Sequence, residues 1–169
     1  MAPRAAARLE SLGFEQVFEY RGGKLDWLAA GKLTEGENSK RPHAGDVARK
    51  DAITCGLNDR LGEVRNRAAA AGWDVAVVVD EAHVVLGMLR TEQLEEEEGL
   101  NVEQVMRPGP STFRPYVTIK EMADYLVEHQ LDSVPITTSE GKLVGVLRKA
   151  DATRAAASGS PGVRRMITS

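Results

Sequence analysis

The sequence predicts an α/β protein of the α+β type, in which two βαββα repeats pack as one module about a pseudo-two-fold axis. Three observations lead there. Sliding the 169-residue chain against itself by 58 positions aligns residues 45–94 with 103–152 without a gap. Eight positions are then identical: Val47/Val105, Arg49/Arg107, Thr54/Thr112, Glu63/Glu121, Asp74/Asp132, Gly87/Gly145, Leu89/Leu147 and Arg90/Arg148. The pattern of strands and helices repeats with them. Finally, a unit of about 50 residues buries too little surface to be stable alone, so two such units should stack their apolar faces.

The second copy is the easier to read. Thr112-Phe113 is a very short leading strand, and Thr118-Ile119-Lys120-Glu121 is a capping box with Thr118 as N-cap and Glu121 at N3. Ile119, Met122, Ala123, Leu126 and Val127 recur at helical spacing and define a buried face. Val134 to Thr137 is a strand, Ser139-Glu140-Gly141-Lys142 a turn, and Leu143 to Leu147 a second strand. The Ala-rich stretch Lys149 to Ala157 closes the unit as a helix. In the first copy, Ile53-Thr54-Cys55 leads, and Asn58 or Asp59 is expected to cap a helix containing Leu61, Val64 and Ala68. Val75 to Val79, a turn at Asp80-Glu81-Ala82-His83, and Val84 to Leu89 repeat the hairpin, and Thr91 onward turns helical.

Composition narrows the function classes. Hydrophobic residues make up 42% and charged residues 28%, as in a folded globular chain. A net charge of -3 gives no general attraction for nucleic acid or anionic lipid, so a bound anion needs a local site. No apolar run approaches the roughly 20 residues that span a bilayer. Met1-Ala2-Pro3-Arg4 leads into a charged segment without the apolar core of a signal peptide, and Cys55 is the one cysteine. Both features lead to an expectation of a reducing cytoplasm. His43, His83 and His129 lack ligand spacing, so no metal site is expected.

The leading strand and helix, Val134-Pro135-Ile136, and Gly145-Val146-Leu147-Arg148-Lys149-Ala150-Asp151 resemble a CBS domain, and the tandem copies over residues 45 to about 157 resemble a Bateman module. In that family the last strand ends in glycine, two apolar residues, Ser or Thr, two more residues and an aspartate. Here Arg148 stands at the Ser/Thr position while Asp151 matches the aspartate; in the first copy Arg90 and Gln93 occupy those places. The resemblance implies clefts between the copies that bind adenosine-containing ligands, with the second-copy cleft the better kept. Residues 1–34 resemble the closing helix–strand–helix of a rhodanese domain, on Leu9-Glu10-Ser11-Leu12-Gly13-Phe14, Val17 to Lys24, and Trp27, with Gly13 and Gly31 where helix C-caps fall. The catalytic cysteine segment of that family is not in the fragment, and no sulfurtransferase activity is expected. The division is then 1–34 rhodanese-like fragment, 35–44 linker, 45–99 first repeat, 100–157 second repeat and 158–169 flexible tail.

Each candidate site residue admits two readings. Asp151 is a ribose ligand by the resemblance, or an aspartate favoured by the helix dipole in a first turn. Arg148 and Arg90, at strand-to-helix junctions, face a phosphate beside helix amides, or are solvated arginines at a sheet end. The resemblance places Thr112, Ser133, Val134, Pro135 and Ile136 around an adenine pocket; the residues themselves read only as strand. Gly87 and Gly145 mark close approach of a backbone or a ligand, or strand packing. Cys55 reads as a small buried thiol, Trp73 as core at the place of Leu131, and Glu95 to Glu98 as a solvated connector.

The resulting expectation is a regulatory module, not an enzyme, that senses AMP, ADP, ATP or S-adenosylmethionine without a required cofactor. It is expected to form a homodimer through the apolar helix faces of Ile119, Met122 and Leu126, and to act on a separate effector protein. The alternatives are a ligand-free dimerisation or adaptor module and, from the N-terminal resemblance, a sulfurtransferase remnant.

Overall fold

The computed structural model describes residues 8–17, 27 and 41–158. Its elements are α1 (Ala44–Val47), β1 (Ile53–Cys55), α2 (Leu61–Ala70), β2 (Ala76–Val79), β3 (Val85–Leu89) and α3 (Thr91–Leu94), followed by α4 (Val102–Val105), β4 (Arg107–Pro108), α5 (Ile119–Glu128), β5 (Ser133–Thr137), β6 (Leu143–Arg148) and α6 (Lys149–Ser158). Adding 58 to α1 gives α4, and adding 58 to α2 gives α5, residue for residue. The repeat is therefore a repeat of structure.

One sheet runs β1-β2-β3-β4, with β1 parallel to β2 and the other pairs antiparallel. The second has β5 and β6, flanked by a parallel bridge of Phe113 to Ile136 and an antiparallel bridge of Arg49 to Val146. These bridges show how the repeats interlock. Arg107, at the start of the second repeat, pairs with Met88 of the first, while Arg49, at the start of the first, pairs with Val146 of the second. Each repeat's sheet is completed by the leading segment of the other.

The same exchange covers the helix starts. The Leu61 and Ile119 amides donate to the carbonyls of Leu100 and Pro42, and the Val102 and Ala44 amides to those of Asp59 and Val117. Near the axis Val84 bridges Lys142, which is its own repeat equivalent.

Gly87 and Gly145 now have a cause. A Cβ on Gly145 would lie 2.7 Å from the Arg49 carbonyl oxygen, and one on Gly87 would lie 2.6 Å from Met106 Sδ. The crossing chain, rather than a ligand, requires glycine there.

Each repeat centres a core to which the other lends residues, Val102 and Val146 to the first and Ala48 to the second. Leu61, Val64 and Ala68 of α2 pack with Val75 to Val79, Met88 and Leu89. Ile119, Met122, Ala123 and Leu126 of α5 pack with Val134, Ile136, Leu147 and Ala152.

Several expectations need correction. The α5 face expected to mediate dimerisation is covered within the chain, since Ile119, Met122 and Leu126 are at most 3% exposed. Val127, counted with that face, points outward instead and is 61% exposed. Thr118 does cap α5 in a capping box with Glu121, but neither Asn58 nor Asp59 caps α2. The N-cap there is Arg60, the repeat equivalent of Thr118, with no side-chain cap. The Leu100 and Glu98 carbonyls take the first α2 amides instead, and the Asp59 carboxylate accepts from the Gly56 amide and Arg67. The connector at Glu95–Glu98 is exposed, as expected, and is in addition tied to the fold: Arg65 donates to the carbonyls of Leu94 and Glu96 and to Glu98 Oε1. Four acids after Leu94 oppose the dipole at a helix C-terminus, which fits α3 stopping after one turn where α6 continues.

Helix α2 is followed by Gly72 at φ +68, and the equivalent residue after α5 is Gln130 at φ +53. A side chain in the left-handed region costs about 1–2 kcal/mol, partly offset by the entropy that glycine loses on folding. Gln130→Gly is expected to stabilise the protein by about 0.5–1 kcal/mol in urea denaturation; a loss of stability would contradict this account.

In the N-terminal fragment residues 8–11 are helical, and Gly13 at φ +92 follows them. Most of the rhodanese-like stretch, including Gly31, lies outside the described residues, as do residues 35–40 of the linker and 159–169 of the tail.

Candidate functional site

Where strand β6 hands over to α6, beside the connection from α2 to β2, the repeats meet across a cleft of about 540 Å³ lined by Gly72, Trp73, Asp74, Asp132, Arg148 and Lys149, with Ala69 and Ala150. Its size falls within the 300–1,000 Å³ usual for small-molecule sites.

Arg148 dominates it. The last residue of β6 projects across the seam, its guanidinium 3.8 Å from the Trp73 ring centroid and its Nη2 donating to the Gly72 carbonyl at 3.0 Å. Arg49 approaches the same ring at 5.3 Å. A guanidinium over an indole face is held by the ring quadrupole. Arg90, the repeat equivalent of Arg148, crosses the other way, Nη2 donating to the Ser133 carbonyl at 3.2 Å. The two arginines thus tie the repeats together, a role in neither reading of the sequence.

Lys149 Nζ sits 2.6 Å from Asp132 Oδ1. This hydrogen bond, then the Lys149 and Arg90 charges, holds the Asp132 carboxyl below the usual carboxylate range. Asp51 is lowered likewise, first by its hydrogen bond from Arg49. A depressed carboxylate contributes stability that is present above its unfolded-state pKa and is lost as pH falls through the folded value. Both groups are solvent-screened, so the contribution is small. Cys55 moves oppositely: burial, then the Asp59 charge, pushes its thiol up to about 12, as suits a buried, unreactive residue.

Two buried polar atoms have no hydrogen-bond partner among the described residues, Arg148 Nε and Ser133 Oγ, while the Trp73 indole, which lacks a well-aligned acceptor, is close enough to Asp51 to help lower its carboxyl. Trp73 and Arg148 line the cleft, and Ser133 pairs with Arg148 across β5 and β6. An unsatisfied buried group costs about 1–3 kcal/mol, so two on cross-strand partners are unusual.

The other expected residues divide. Val134 and Ile136 belong to the core beneath α5 and α6. Strand alternation puts Ser133 and Pro135 on the opposite face of β5. Thr112 is exposed before the Phe113 bridge. Asp151 lies in the first turn of α6, its carboxylate 21% exposed and accepting from Arg154 at 3.1 Å. It acts electrostatically on Arg49 but does not line the cleft. Asp74, Asp132, Lys149 and Trp73 were not expected here. The Asp74/Asp132 identity was the signal that could have found the first two.

Among the described residues there is no cluster of side chains fit to hold a metal ion and no helix long and apolar enough to cross a membrane.

Comparison with known proteins agrees with this geometry. Residues 102–158 match the family model of the CBS domain. The CBS-pair protein CBSX2 of Arabidopsis thaliana, solved in complex with AMP, superposes with a TM-score of 0.63 at 19% identity, over 69% of this chain and 97% of that one. The cytosolic domain of the Mg2+ channel MgtE in complex with ATP gives 0.62 at 20% identity, over 69% of this chain and 50% of that one. The CBS domain pair of protein MJ0100, in complex with 5'-methylthioadenosine and S-adenosyl-L-methionine, gives 0.62 at 16% identity, over 70% and 98%. At these identities the likeness is one of fold. The chain has the fold of a CBS-domain pair, and its second repeat is matched to the CBS domain by sequence.

Proposed function

We propose that the chain is a regulatory module, not an enzyme, that binds an adenosine-containing nucleotide between its two repeats. The observation that carries this is the cleft between the repeats, where Arg148 Nε lies buried without an acceptor beside Lys149 and its cross-strand partner Ser133 leaves Oγ unpartnered. Donors left without acceptors favour a ligand that supplies them, and the two cations suit a phosphate. The fold is shared with proteins solved with AMP, ATP and S-adenosyl-L-methionine. In this reading Arg148 meets phosphate, Asp151 meets ribose after leaving Arg154, and Thr112, Ser133 and Pro135 approach the base, with Arg148 the one of these that lines the cleft; Arg90 holds the seam. Regulation would follow from unequal affinity for two packings of the repeats across that seam. Residues 45–99 and 100–157 act as one unit, and the output passes to a separate effector protein in the cytoplasm. The rhodanese-like reading of residues 1–34 gains no support from the family match, which lies at residues 102–158.

Calorimetry with AMP, ADP, ATP, adenosine and S-adenosylmethionine tests this. A ligand at 100 times its dissociation constant should stabilise the fold by about 2.7 kcal/mol. Asp151→Ala should weaken binding about 10- to 150-fold, the loss of one hydrogen bond to a charged group. Arg148→Ala should harm ATP and ADP binding more than adenosine binding, and Gln93→Ala should do little. No heat with any of these compounds, or an Asp151→Ala protein that binds like the parent, would end the proposal.

A second reading, a ligand-free dimerisation or adaptor module, is favoured by one observation: Arg148, Arg90 and Asp151 all have partners within the chain. Homodimerisation rests on the outward-facing Val127 of α5. Light scattering at about 18 kDa, the monomer mass of 18.3 kDa, at every concentration would remove it.

A further inference from the structure

The pseudo-two-fold axis makes each repeat a control for the other, and one place differs sharply. In the second repeat the Arg114 guanidinium is seated at the carboxyl end of β5. Its Nη1 donates to Thr137 Oγ1 at 2.7 Å, to the Thr138 carbonyl at 2.6 Å and to the Thr137 carbonyl at 3.4 Å. The equivalent of Arg114 in the first repeat is Gly56, and Cys55 and Asn58 stand where Phe113 and Tyr116 stand in the second. Beside these smaller residues, at the carboxyl ends of β1 and β2, is a cavity of about 580 Å³.

The wall of that cavity retains the backbone positions of the seat. Val79 and Asp80, the equivalents of Thr137 and Thr138, both line it. The Thr137 hydroxyl is lost to Val79, but Asp59, Asp80 and Glu81 replace the uncharged Val117, Thr138 and Ser139. Asp59 is paired with Arg67 at 3.1 Å, and Asp80 Oδ1 accepts from the Ala82 and Val84 amides. No ion pair to Glu81 or Asp80 occurs among the described residues. The Asp59 charge adds to burial in raising the Cys55 thiol, with Arg67 opposing it.

We propose that this cavity in the first repeat binds an alkylguanidinium ligand, in the seat that the chain's own Arg114 fills in the second. A planar guanidinium can donate to a carboxylate and to backbone carbonyls at once, which the compact ammonium of lysine does less well. The cavity shares no lining residue with the inter-repeat cleft, so the proposal does not depend on nucleotide binding.

Calorimetry on the full chain compares L-arginine with L-citrulline, its uncharged isostere, and a capped Gly-Arg-Gly peptide with its citrulline counterpart. The two pairs distinguish free arginine from arginine carried in a peptide. The guanidinium member of at least one pair should bind about 10- to 150-fold more tightly than its neutral counterpart, and Glu81→Gln should narrow that difference. Gly56→Arg supplies the side chain from within. A Cβ there would meet only Asp59 Oδ1, at 3.7 Å, so the variant should fold, melt at a higher temperature and lose guanidinium binding. Equal heats from both members of both pairs would overturn the proposal. So would a Gly56→Arg protein, folded by circular dichroism, or a Glu81→Gln protein that binds the guanidinium probe as the parent does.

Discussion

Gly145→Ala is expected to destabilise the protein by about 2–3 kcal/mol, the upper range for forcing an extra carbon into a packed interior. The added Cβ would lie 2.7 Å from the carbonyl oxygen of Arg49 and 3.1 Å from its carbonyl carbon. Both are backbone atoms, and the residue is held by two hydrogen bonds of 2.9 Å with Val146, so relief requires the crossing segment to move away. Gly87→Ala is the built-in control. Its Cβ would meet the Met106 thioether sulfur at 2.6 Å and a backbone oxygen only at 3.1 Å. Methionine has three rotatable bonds and can swing aside, so the cost should be nearer 1 kcal/mol. Urea denaturation of the two variants decides: equal costs would mean that the Arg49 crossing is not rigid.

Leu126→Ala should cost about 2–5 kcal/mol, the usual range for emptying a buried leucine site. Leu126 is fully buried among Ile119, Met122, Val134, Ile136 and Leu147. Its neighbour Val127 is 61% exposed, and Val127→Ala should stay within about 0.5 kcal/mol. Unfolding measured at two protein concentrations adds information. If Val127 covers a partner copy, its substitution becomes costly at high concentration only, because association stabilises by mass action. A mild Leu126→Ala would contradict the core described for α5.

The repeat was legible because it is written in every structural layer: the Thr118 capping box, the apolar spacing of α5, and the glycine in each second strand. What could not be read is which of two equally patterned faces each residue takes. Val134 and Ile136 alternate with Ser133 and Pro135, and period two says nothing about which pair faces the helices. The crossings at Arg49 and Arg107 rest on backbone hydrogen bonds, which any side chain can make. The missing cap on α2 has the same origin, since the chain supplies Leu100 and Glu98 carbonyls where a side chain was expected. Arg90 and Arg148 were singled out correctly as paired positions. Their partners, Ser133 and Gly72, are backbone oxygens 43 and 76 residues away, with no local signature.

The reciprocal crossings have a consequence for taking the molecule apart. A cut near residue 100, the natural place by sequence, would yield two pieces that each carry the strand belonging to the other and lack their own. The stretch matched to the CBS domain, 102–158, would keep Arg107 with no Met88 to pair with, and would leave the Val146 amide and carbonyl bare. Two separately made halves should therefore recover their structure only when mixed, as complementing fragments do, and the repeat visible in the sequence is not the unit that can be inherited, excised or fused alone.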